Sequence, residues 1–590
     1  MTVPTDIRFA HPPRTPNPCK LSANHYNRMD DRPSQVPNLT LPQIKDGAIV
    51  EVEVHRVLRS FLRSDDRPVW PHHLTMGRLV ARALRLGRSA LIQTGSFGEF
   101  DGRYRLSYLM PLLMWPEPAI LVVPESVHGD LLDREIPQLQ AWGATRKAVR
   151  SGDRLDRDFS GLLLTSPQSW LRDRLNGENR FPPSVPTVID GVDDLERWTR
   201  GQLTVAIEPH HWNEFMLAYP DFAEFVRDVR VRLTKSIFDR PVNPYQCCLL
   251  DTPELEILHQ LFRGLHSKRT QYPSVWQTFW LRFAREGSLT WANIDRTYGN
   301  FSLSCGPINV TDVLSPIWPK QPIVAIGGAL DLDPKAPIYR QRMGFDDLTC
   351  VKFSPDRTQA LIQLYLPDGL PLPNTPQYQS ALIRELHTLI RVSTVSETEE
   401  LCPRPPLVEN APTQPSEERN GRHRPTSSSR PQSGSLTVIL VGDVPLKSIV
   451  GSILAAEFGS RVQVEQTQVG KNTILVTGWE FWRQHQGKLP SPGLLAIATL
   501  PLPSLENPLV AGRVAHYKQQ RQDWFRLYLL PTALSELQRA IAPVRDCQGV
   551  VALLDSRVLH RSYGSQILSA LTPMARINYI DVGLFSGRNE

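Results

Sequence analysis

The stretch LQRAIAPVRDCQGVVALLDSRVLHRSYG, residues 537–564, contains a helical segment, a buried strand and a polar tail. Gln538 and Arg545 are seven positions apart, so they lie on nearly the same face of a helix, two turns apart. The apolar run GVVALLD, which ends at Asp555, is typical of a strand covered on both faces of a parallel sheet. A helix that leads into such a strand indicates an α/β domain.

The same alternation continues on both sides of this stretch. Upstream, LTVILVG, TILVTG and LLAIATL have the composition of buried strands and are separated by helical segments. Nearer the start of the chain, ALIQTG, AILVVP, GLLLT and PTVID repeat the pattern. The sequence therefore predicts an α/β fold with two parallel-sheet lobes.

Composition changes along the chain predict the boundaries of these lobes. Residues 1–46 are rich in Pro, Asn and Asp and predict a disordered extension, and 47–200 form the first lobe. Residues 201–318 are rich in Trp, Phe and charged residues and predict a helical insertion, after which 319–334 complete the first lobe. Residues 335–586 form the second lobe, with a Pro- and Ser-rich disordered loop at 394–434.

Composition also limits the compartment and the partners. The chain has 590 residues, 41% of them hydrophobic, which suffices for several cores, and a net charge of +6 permits a polyanionic partner. Seven cysteines argue against a disulfide framework, and no apolar run is long enough to cross a bilayer. The first twenty residues lack the apolar core of a signal peptide. We therefore expect a cytoplasmic protein with no membrane partner.

A glycine-containing turn after the first strand is the first candidate for ligand binding. QTGSFGEFDGRYR places Gly95, Gly98 and Gly102 between a strand and a helix, followed by the cation of Arg103. Glycines allow backbone N–H groups to approach a phosphate, so the turn predicts a phosphate-binding loop. The alternative is an ordinary turn of an α/β domain. In TVIDGVDDL, Asp190 ends another buried strand.

Six segments in the same order resemble the motifs of the DinG/XPD family of superfamily 2 helicases, from about residue 66 to 586. They are QTGSFGEFDGRYR, TVIDGVDDL, GGAL at 327–330, EFWRQHQ with Phe481 and Trp482, LPLPSLENPL at 500–509, and the stretch at 537–564. The resemblance implies two RecA-like lobes with ATP and Mg²⁺ between them. It also implies nucleotide contacts from Gly95, Gly98, Gly102, Arg103 and Gln538, with Asp190 and Arg545 as catalytic residues and Asp190 as the ligand for Mg²⁺ if ATP binds.

The segments depart from the family pattern at the reactive positions. Arg103 and Tyr104 stand where the family has Lys and Ser or Thr, and Arg does not replace Lys conservatively on a phosphate. The other departures are Gly191 for Glu, Asp193 for His, Gly327–Gly328–Ala329 for Ser–Ala–Thr, Gln486 for Asp, and Ile541–Ala542 for Gly–Arg. The resemblance thus implies a nucleic-acid-binding protein with impaired or lost ATP hydrolysis.

Two other functions stay open at this point. An active helicase would use Arg103 and Asp193 or Asp194 as substitutes for the family residues that it lacks. It would also have to compensate for the missing arginine, and an arginine finger alone is worth about 10³ to 10⁵ in rate in related nucleotide chemistry. A non-enzymatic scaffold would hold protein partners through the two lobes and the loop at 394–434.

Metal and nucleic-acid sites are the remaining candidates. No cysteine lies between Cys19 and Cys247, so we expect no iron–sulfur cluster of the kind that many members of the family carry before the second motif. The pairs His72–His73 and His210–His211 have no matching carboxylate or cysteine pattern, which makes metal binding there a minor alternative. The candidates for binding single-stranded DNA are six basic residues of the insertion: Arg227, Arg230, Arg232, Lys235, Lys268 and Arg269. The alternative is that these residues form a solvated helix face with no ligand.

Overall fold

A computed structural model describes residues 50–64, 70–95, 102–142, 146–266, 273–346, 348–355, 360–399, 436–580 and 585. The predicted extension at 1–46, the loop from residue 400 onward, Gly98, Lys268 and Arg269 lie outside these residues. The first residues of the predicted loop, 394–399, are the end of a helix.

Eighteen strands are found among the described residues. They are β1 (Ala90–Gln93), β2 (Ala119–Val122), β3 (Val149–Ser151), β4 (Leu162–Thr165), β5 (Thr187–Asp190), β6 (Val205–Ile207), β7 (Cys247–Leu249), β8 (Ser288–Asp295), β9 (Asn300–Pro307), β10 (Ile323–Gly327), β11 (Thr349–Lys352), β12 (Ile362–Tyr365), β13 (Leu436–Leu440), β14 (Val462–Val464), β15 (Ile474–Thr477), β16 (Pro492–Ile497), β17 (Val550–Leu553) and β18 (Met574–Ile577).

Twenty α-helices connect and cover them in the same part of the chain. They are α1 (Val50–Ser64), α2 (His73–Leu86), α3 (Leu106–Met114), α4 (Glu125–Asp130), α5 (Ile136–Ala141), α6 (Pro167–Asn176), α7 (Leu195–Leu203), α8 (Pro209–Ala218), α9 (Ala223–Phe238), α10 (Thr252–His266), α11 (Ser274–Phe283), α12 (Thr311–Leu314), α13 (Pro337–Met343), α14 (Tyr378–Glu399), α15 (Val444–Phe458), α16 (Trp479–His485), α17 (Pro508–Gln519), α18 (Leu530–Asp546), α19 (Arg557–His560) and α20 (Gly564–Leu571).

Lobe 1 is built on a seven-stranded sheet in the order β11-β1-β10-β5-β2-β4-β3, with every neighbouring pair parallel. The predicted strands ALIQ, AILV, LLLT and TVID are β1, β2, β4 and β5, and all their residues are buried. This full burial follows from helices packed on both faces. The prediction of a parallel α/β lobe is therefore confirmed.

Lobe 1 extends beyond the boundary predicted at residue 334. Strand β11 pairs with β1 as an edge strand, and Tyr339 and Met343 of α13 pack into the core of lobe 1. The last strand of this lobe thus comes after the interlobe motif, and its pairing cannot be inferred from a partly exposed four-residue run. The predicted assignment of residues 335–352 to lobe 2 is corrected accordingly.

Lobe 2 has a second parallel seven-stranded sheet, in the order β14-β15-β13-β16-β17-β12-β18. The opening stretch forms α18 and β17, as its pattern predicts. Trp482 of α16 is buried, and its indole N–H donates to the carbonyl oxygen of Ala540 at 3.2 Å, which fixes α16 against α18. The framework residues of the motifs therefore belong to the core of lobe 2.

The insertion contains a sheet as well as helices. Strands β6, β9, β8 and β7 form a four-stranded antiparallel sheet, and α8 to α11 pack with it around buried Trp212, Trp276 and Phe279. The sequence analysis predicts only helices here. In β8 the buried Thr290, Ala292 and Ile294 alternate with more exposed residues, which is the period of a half-covered strand, but two of the three are small or polar.

None of the described helices is both long and apolar enough to span a bilayer.

The insertion also touches lobe 2. A Cβ atom added to Gly512 of α17 would lie 2.9 Å from the side chain of Leu249 in β7. Helix α17 therefore packs closely on the antiparallel sheet, and the glycine allows that approach.

Candidate functional site

The predicted nucleotide residues of lobe 1 come together at one edge of the sheet. Strands β1, β10 and β5 are parallel neighbours, so Gly95, Gly327 and Asp190 all stand at their carboxyl ends. The backbone N–H of Gly95 donates to the carbonyl oxygen of Gly328 at 3.0 Å, which joins the turn after β1 to the interlobe motif. Ligands of open parallel sheets bind at this edge.

The carboxylate of Asp190 is held by two tyrosines. The Tyr104 hydroxyl donates to Oδ1 at 2.6 Å and the Tyr108 hydroxyl donates to Oδ2 at 2.9 Å. All three side chains are buried. Burial raises the pKa of Asp190 although both hydroxyl donors oppose it, and burial also raises the pKa of each tyrosine, which keeps the phenols protonated. Both oxygens of Asp190 are thus occupied by protein donors.

Gly102 and Arg105 shape the end of the predicted phosphate loop. Gly102 has a φ of +54°, and a Cβ atom there would lie 2.6 Å from the guanidinium carbon of Arg105. The buried guanidinium of Arg105 donates to Glu135 at 2.6 Å. The glycine is therefore required by the packing of a buried arginine, and this requirement is independent of a phosphate.

Arg103 lies in the cleft between the lobes. Its Nη2 is 3.6 Å from Oδ1 of Asp546, at the end of α18 in lobe 2. Burial raises the pKa of Asp546, and the charge of Arg103 opposes that shift. The cation predicted to contact a phosphate thus has a carboxylate of the opposite lobe beside it.

Asp193 connects the second motif to the interlobe motif. It accepts the backbone N–H groups of Gly328 at 2.7 Å and Ala329 at 2.9 Å. A Cβ atom on Gly327 would lie 2.8 Å from Oδ2 of Asp193 and 2.5 Å from the Leu330 side chain. The aspartate and the glycine, which replace different family residues, are therefore sterically coupled.

Asp194 is the center of an interlobe ion-pair cluster that the sequence analysis did not identify. Arg539 of α18 donates to Oδ2 of Asp194 at 2.8 Å, and Arg483 of α16 donates to Oδ1 and to Glu536. Burial would raise the pKa of Asp194, but Arg539 and Arg483 lower it below its ordinary value. Asp194, Arg483 and Arg539 lie within the motif segments, but no local sequence pattern indicates that they pair with one another.

A cavity of about 430 Å³ opens beside this cluster, between the lobes. Glu196 of lobe 1 accepts hydrogen bonds from Arg200 and Arg342 inside it. Burial would raise the pKa of Glu196, but Arg342 and Arg200 hold it well below the ordinary range. The charged side chains that line the cavity balance one another: Asp193, Asp194, Glu196, Glu480 and Glu536 against Arg197, Arg200, Arg342, Arg483 and Arg513.

The predicted residues of α18 have different surroundings. The guanidinium of Arg545 donates to the carbonyl oxygens of Ala360, Leu571, Thr572 and Pro573, all in lobe 2, and burial lowers its pKa to about 10. Gln538 is partly buried. Arg545 thus connects segments of its own lobe, while Arg539 and Asp546 of the same helix contact lobe 1.

The predicted nucleic-acid residues lie on α9 of the insertion. Arg227, Arg232 and Lys235 are exposed, and Arg230 is partly buried and donates to Asn213 at 2.9 Å. Arg232 donates to Gln260 at 3.4 Å. These bonds are to neutral groups, so the positive charge of the helix face is retained.

Structural hydrogen bonds occupy the two histidine pairs. His72 and His73 bond to the carbonyl oxygen of Ser354 and the hydroxyl of Ser107. The ligand atoms of His210, His211 and Glu214 lie within 4.8 Å of one another, but Nδ1 of His211 accepts the backbone N–H of Glu208 in a capping box. We assign His211 to capping α8.

Comparison with known proteins gives two kinds of match. The family model described as a helicase C-terminal domain matches residues 492–574. The ATP-dependent DNA helicase YoaA of Escherichia coli is 28% identical over 127 residues, which is 21% of this chain and 20% of the relative. YoaA of Haemophilus influenzae is 27% identical over 133 residues, 22% of this chain and 21% of the relative. These matches thus span about a fifth of each curated relative.

Solved structures match over most of the chain. The structure described as Xpd4 of S. tokodaii has a TM-score of 0.52 at 14% identity and covers 86% of this chain and 99% of its own. A second, described as an XPD helicase, has a TM-score of 0.53 at 10% identity. The match covers 87% of this chain and 100% of the XPD chain. At these identities the likeness shows the fold.

Proposed function

We propose that this chain, which has two parallel-sheet lobes of the XPD-like fold and a match to the helicase C-terminal domain, is a DinG/XPD-like superfamily 2 helicase that binds single-stranded or forked DNA and hydrolyses ATP poorly or not at all. The lobes and the insertion hold the nucleic acid, and the cleft keeps its closed form through the protein's own charged groups.

The observation that carries this proposal is the environment of Asp190. A magnesium ion needs oxygen ligands in octahedral geometry and keeps several waters. Both carboxylate oxygens of Asp190 already accept hydrogen bonds from buried tyrosine hydroxyls. Tyr104 also fills the position where the family has a hydroxyl for the metal. The residues therefore do not fit Mg–ATP in the family's manner.

The second catalytic position supports the same proposal. Gly191 follows Asp190 with a φ of +83°, a left-handed conformation that a Glu side chain disfavours. Asp193 is the nearest acidic substitute, but its two oxygens accept backbone N–H groups of the interlobe motif. An acid that caps a buried backbone segment is poorly placed to orient a water molecule.

Charged groups of the protein stand where a nucleotide would connect the lobes. Arg103 and Asp194 of lobe 1 pair with Asp546 and Arg539 of lobe 2. These pairs cross the cleft at two places and involve no ligand. We infer that they maintain the lobe arrangement that ATP promotes in an active motor.

An ATPase assay tests the proposal. We expect turnover by the wild-type protein to equal that of Asp190→Asn, with and without single-stranded DNA. DNA-stimulated turnover that is abolished in Asp190→Asn would instead favour the active helicase. In parallel, Arg230→Gln/Arg232→Gln/Lys235→Gln should weaken single-strand binding and reduce its salt dependence. Wild-type protein that binds no single strand would refute the nucleic-acid part of the proposal.

A further inference from the structure

Seven exposed arginines lie on the two helices that begin lobe 1 and just after them. They are Arg56, Arg59 and Arg63 of α1, Arg78, Arg82 and Arg85 of α2, and Arg88. We refer to these seven residues as the arginine ridge. It lies outside the motifs, the insertion and the interlobe cleft, so the proposed function does not account for it.

The two helices are fixed side by side in opposite directions. Glu51, in the first turn of α1, accepts from both Nε and Nη2 of Arg85, in the last turn of α2, at 2.6 to 3.0 Å. On α2 the spacing of Arg78, Arg82 and Arg85 puts them on one face, and on α1 the spacing of its three arginines does the same. The arginines therefore recur about once per turn along two adjacent helices.

A groove between the helices joins the two rows. It has a volume of about 470 Å³, and Arg78 and Arg82 of α2 line it together with His55 of α1. Arg59 follows His55 by one turn on α1, next to the part of α2 that carries Arg78 because the helices are antiparallel. The ridge is thus a continuous surface.

Within the part of the chain that the structure describes, the charge of the ridge is mostly not compensated. Residues 50–64 and 70–88 contain the seven arginines and two acidic residues, Glu51 and Glu53. Glu51 pairs with Arg85, and Glu53 pairs with Arg56 at 2.9 Å. The other five arginines form no ion pair with any described residue. Arginine binds phosphate oxygens through two parallel N–H groups, so such a surface is suited to a polyphosphate.

The residue types distinguish among polyanionic partners. Binding of a single strand uses aromatic side chains on which bases stack, but Phe61 and Trp70, the only Phe and Trp residues described in this segment, are buried. A protein partner would need an apolar anchor near the center of its site, whereas the exposed Val52 and Leu86 lie at one end of the helix pair. A duplex presents regularly spaced phosphates and no exposed base faces.

We propose that the arginine ridge binds the phosphate backbone of double-stranded nucleic acid, as a second nucleic-acid surface separate from the single-strand path. The inference rests on the proposed function only in taking nucleic acid as the polyanion. On forked DNA, the ridge holds the duplex arm while the cleft and insertion hold the single strand.

Fluorescence anisotropy with three labelled DNAs, a single strand, a blunt duplex and a fork, tests the inference. The variant Arg59→Gln/Arg78→Gln/Arg82→Gln is compared with Arg134→Gln/Arg154→Gln/Arg157→Gln, which removes the same charge from exposed positions elsewhere in lobe 1. For the ridge variant we expect duplex affinity to fall about tenfold to a hundredfold near 0.15 M salt, and the salt slope to fall by about 2 to 3. Single-strand affinity and the control variant should stay at wild-type values.

Three outcomes would overturn the inference. The first is equal duplex affinity in the ridge and control variants. The second is an equal loss for single strand and duplex in the ridge variant, which would assign the ridge to nonspecific attraction. The third is a wild-type protein that binds labelled poly-glutamate but no duplex, together with a ridge variant that no longer binds poly-glutamate. The partner of the ridge would then be an acidic protein. Failure of the proposed function is distinct, because there the wild-type protein does not bind the single strand.

Discussion

Tyr104 and Tyr108 keep the carboxylate of Asp190 in a buried site by donating one hydrogen bond to each of its oxygens. Because burial raises the pKa of Asp190 above its value in the unfolded chain, its ionisation costs stability as the pH rises through the folded-state pKa. Each tyrosine reduces that cost. Both hydroxyls therefore favour the ionised form of Asp190 against the effect of burial.

Removal of one donor should destabilise the protein in a pH-dependent way. For Tyr104→Phe we expect a loss of about 1–3 kcal/mol near neutral pH, because a buried acceptor loses its donor. The pKa of Asp190 would rise further, so the difference from wild type should shrink as the pH falls through the folded-state pKa of Asp190 and the carboxyl becomes protonated in both folded proteins. Denaturant unfolding at several pH values measures this difference in the free energy of unfolding. Tyr298→Phe, at an exposed position, is the control, and a pH-independent loss would contradict the prediction.

Gly191 shows why restoring a family residue does not restore its function. Its φ of +83° is left-handed, and a Cβ atom there would come 3.4 Å from the ring of Trp198. We expect Gly191→Glu to lower the free energy of unfolding by about 1–2 kcal/mol from backbone conformation alone, without creating ATP turnover. Gly201→Glu in α7, where a Cβ atom meets nothing within 4 Å, should not destabilise. Equal stability of the two variants in urea unfolding would refute this account.

At the scale of elements, α18 forms most of the lobe 2 side of the cleft. Arg539, Ala542 and Asp546 are spaced by three and four residues, so they share a face. The first and last of them contact Asp194 and Arg103 of lobe 1. Ala542, the position of the family's arginine, therefore faces lobe 1 between two ion pairs. An arginine placed there would meet Arg103 and Arg539 nearby, so Ala542→Arg alone is not expected to restore hydrolysis.

The interlobe ion pairs should differ in strength according to their burial. Asp194 is 7% exposed, whereas the side chains of Arg197 and Glu480, which pair at 2.9 Å, are 53% and 63% exposed. We expect Asp194→Asn to cost about 3–5 kcal/mol, because it removes the buried carboxylate that Arg539 and Arg483 share. Glu480→Gln should cost less than about 1 kcal/mol. Thermal and urea unfolding of both variants test the difference.

The sign of the pH dependence provides a second check on this pair of variants. Since Arg539 and Arg483 lower the pKa of Asp194 in the folded protein, its contribution to stability is present above the unfolded-state pKa and is lost as the pH falls through the folded-state pKa. The stability difference between Asp194→Asn and wild type should therefore be largest at neutral pH and decrease in acid. A difference that grows in acid would exclude an ionised Asp194.

The elements were more predictable from the sequence than the site. Buried strands such as ILVT and VVAL consist of β-branched and large apolar residues in short runs, so their pattern alone indicates a parallel sheet. The antiparallel sheet of the insertion and strand β11 were missed, because two of the three buried residues of β8 are small or polar and β11 is a partly exposed run of four residues. The roles of Arg539 and Asp194 depend on contacts between residues 345 positions apart, which no local pattern contains.

At the scale of the whole molecule, several groups of contacts join lobe 2 to lobe 1 and its insertion, and three of them bear on the cleft and the insertion. These are the cluster around Asp194, the pair of Arg103 with Asp546, and α17 packed on β7 and β8. All are formed by the protein itself. In a nucleotide-driven motor, differential binding of ATP to the closed form changes the relative position of the lobes. Under the proposed function, the protein's own contacts close the cleft, so ATP adds little differential affinity for the closed form.

We therefore expect the lobe arrangement to be independent of nucleotide and dependent on the ion pairs. The radius of gyration from small-angle X-ray scattering should be the same for the wild-type protein with and without Mg²⁺ and a non-hydrolysable ATP analogue. Asp194→Asn/Asp546→Asn should increase it, because the two substitutions remove the carboxylates that attract Arg539 and Arg103 across the cleft. Glu480→Gln, which breaks only an exposed pair, should leave scattering unchanged. A nucleotide-induced change in the wild-type protein would show that the cleft binds ATP productively and would favour the active helicase.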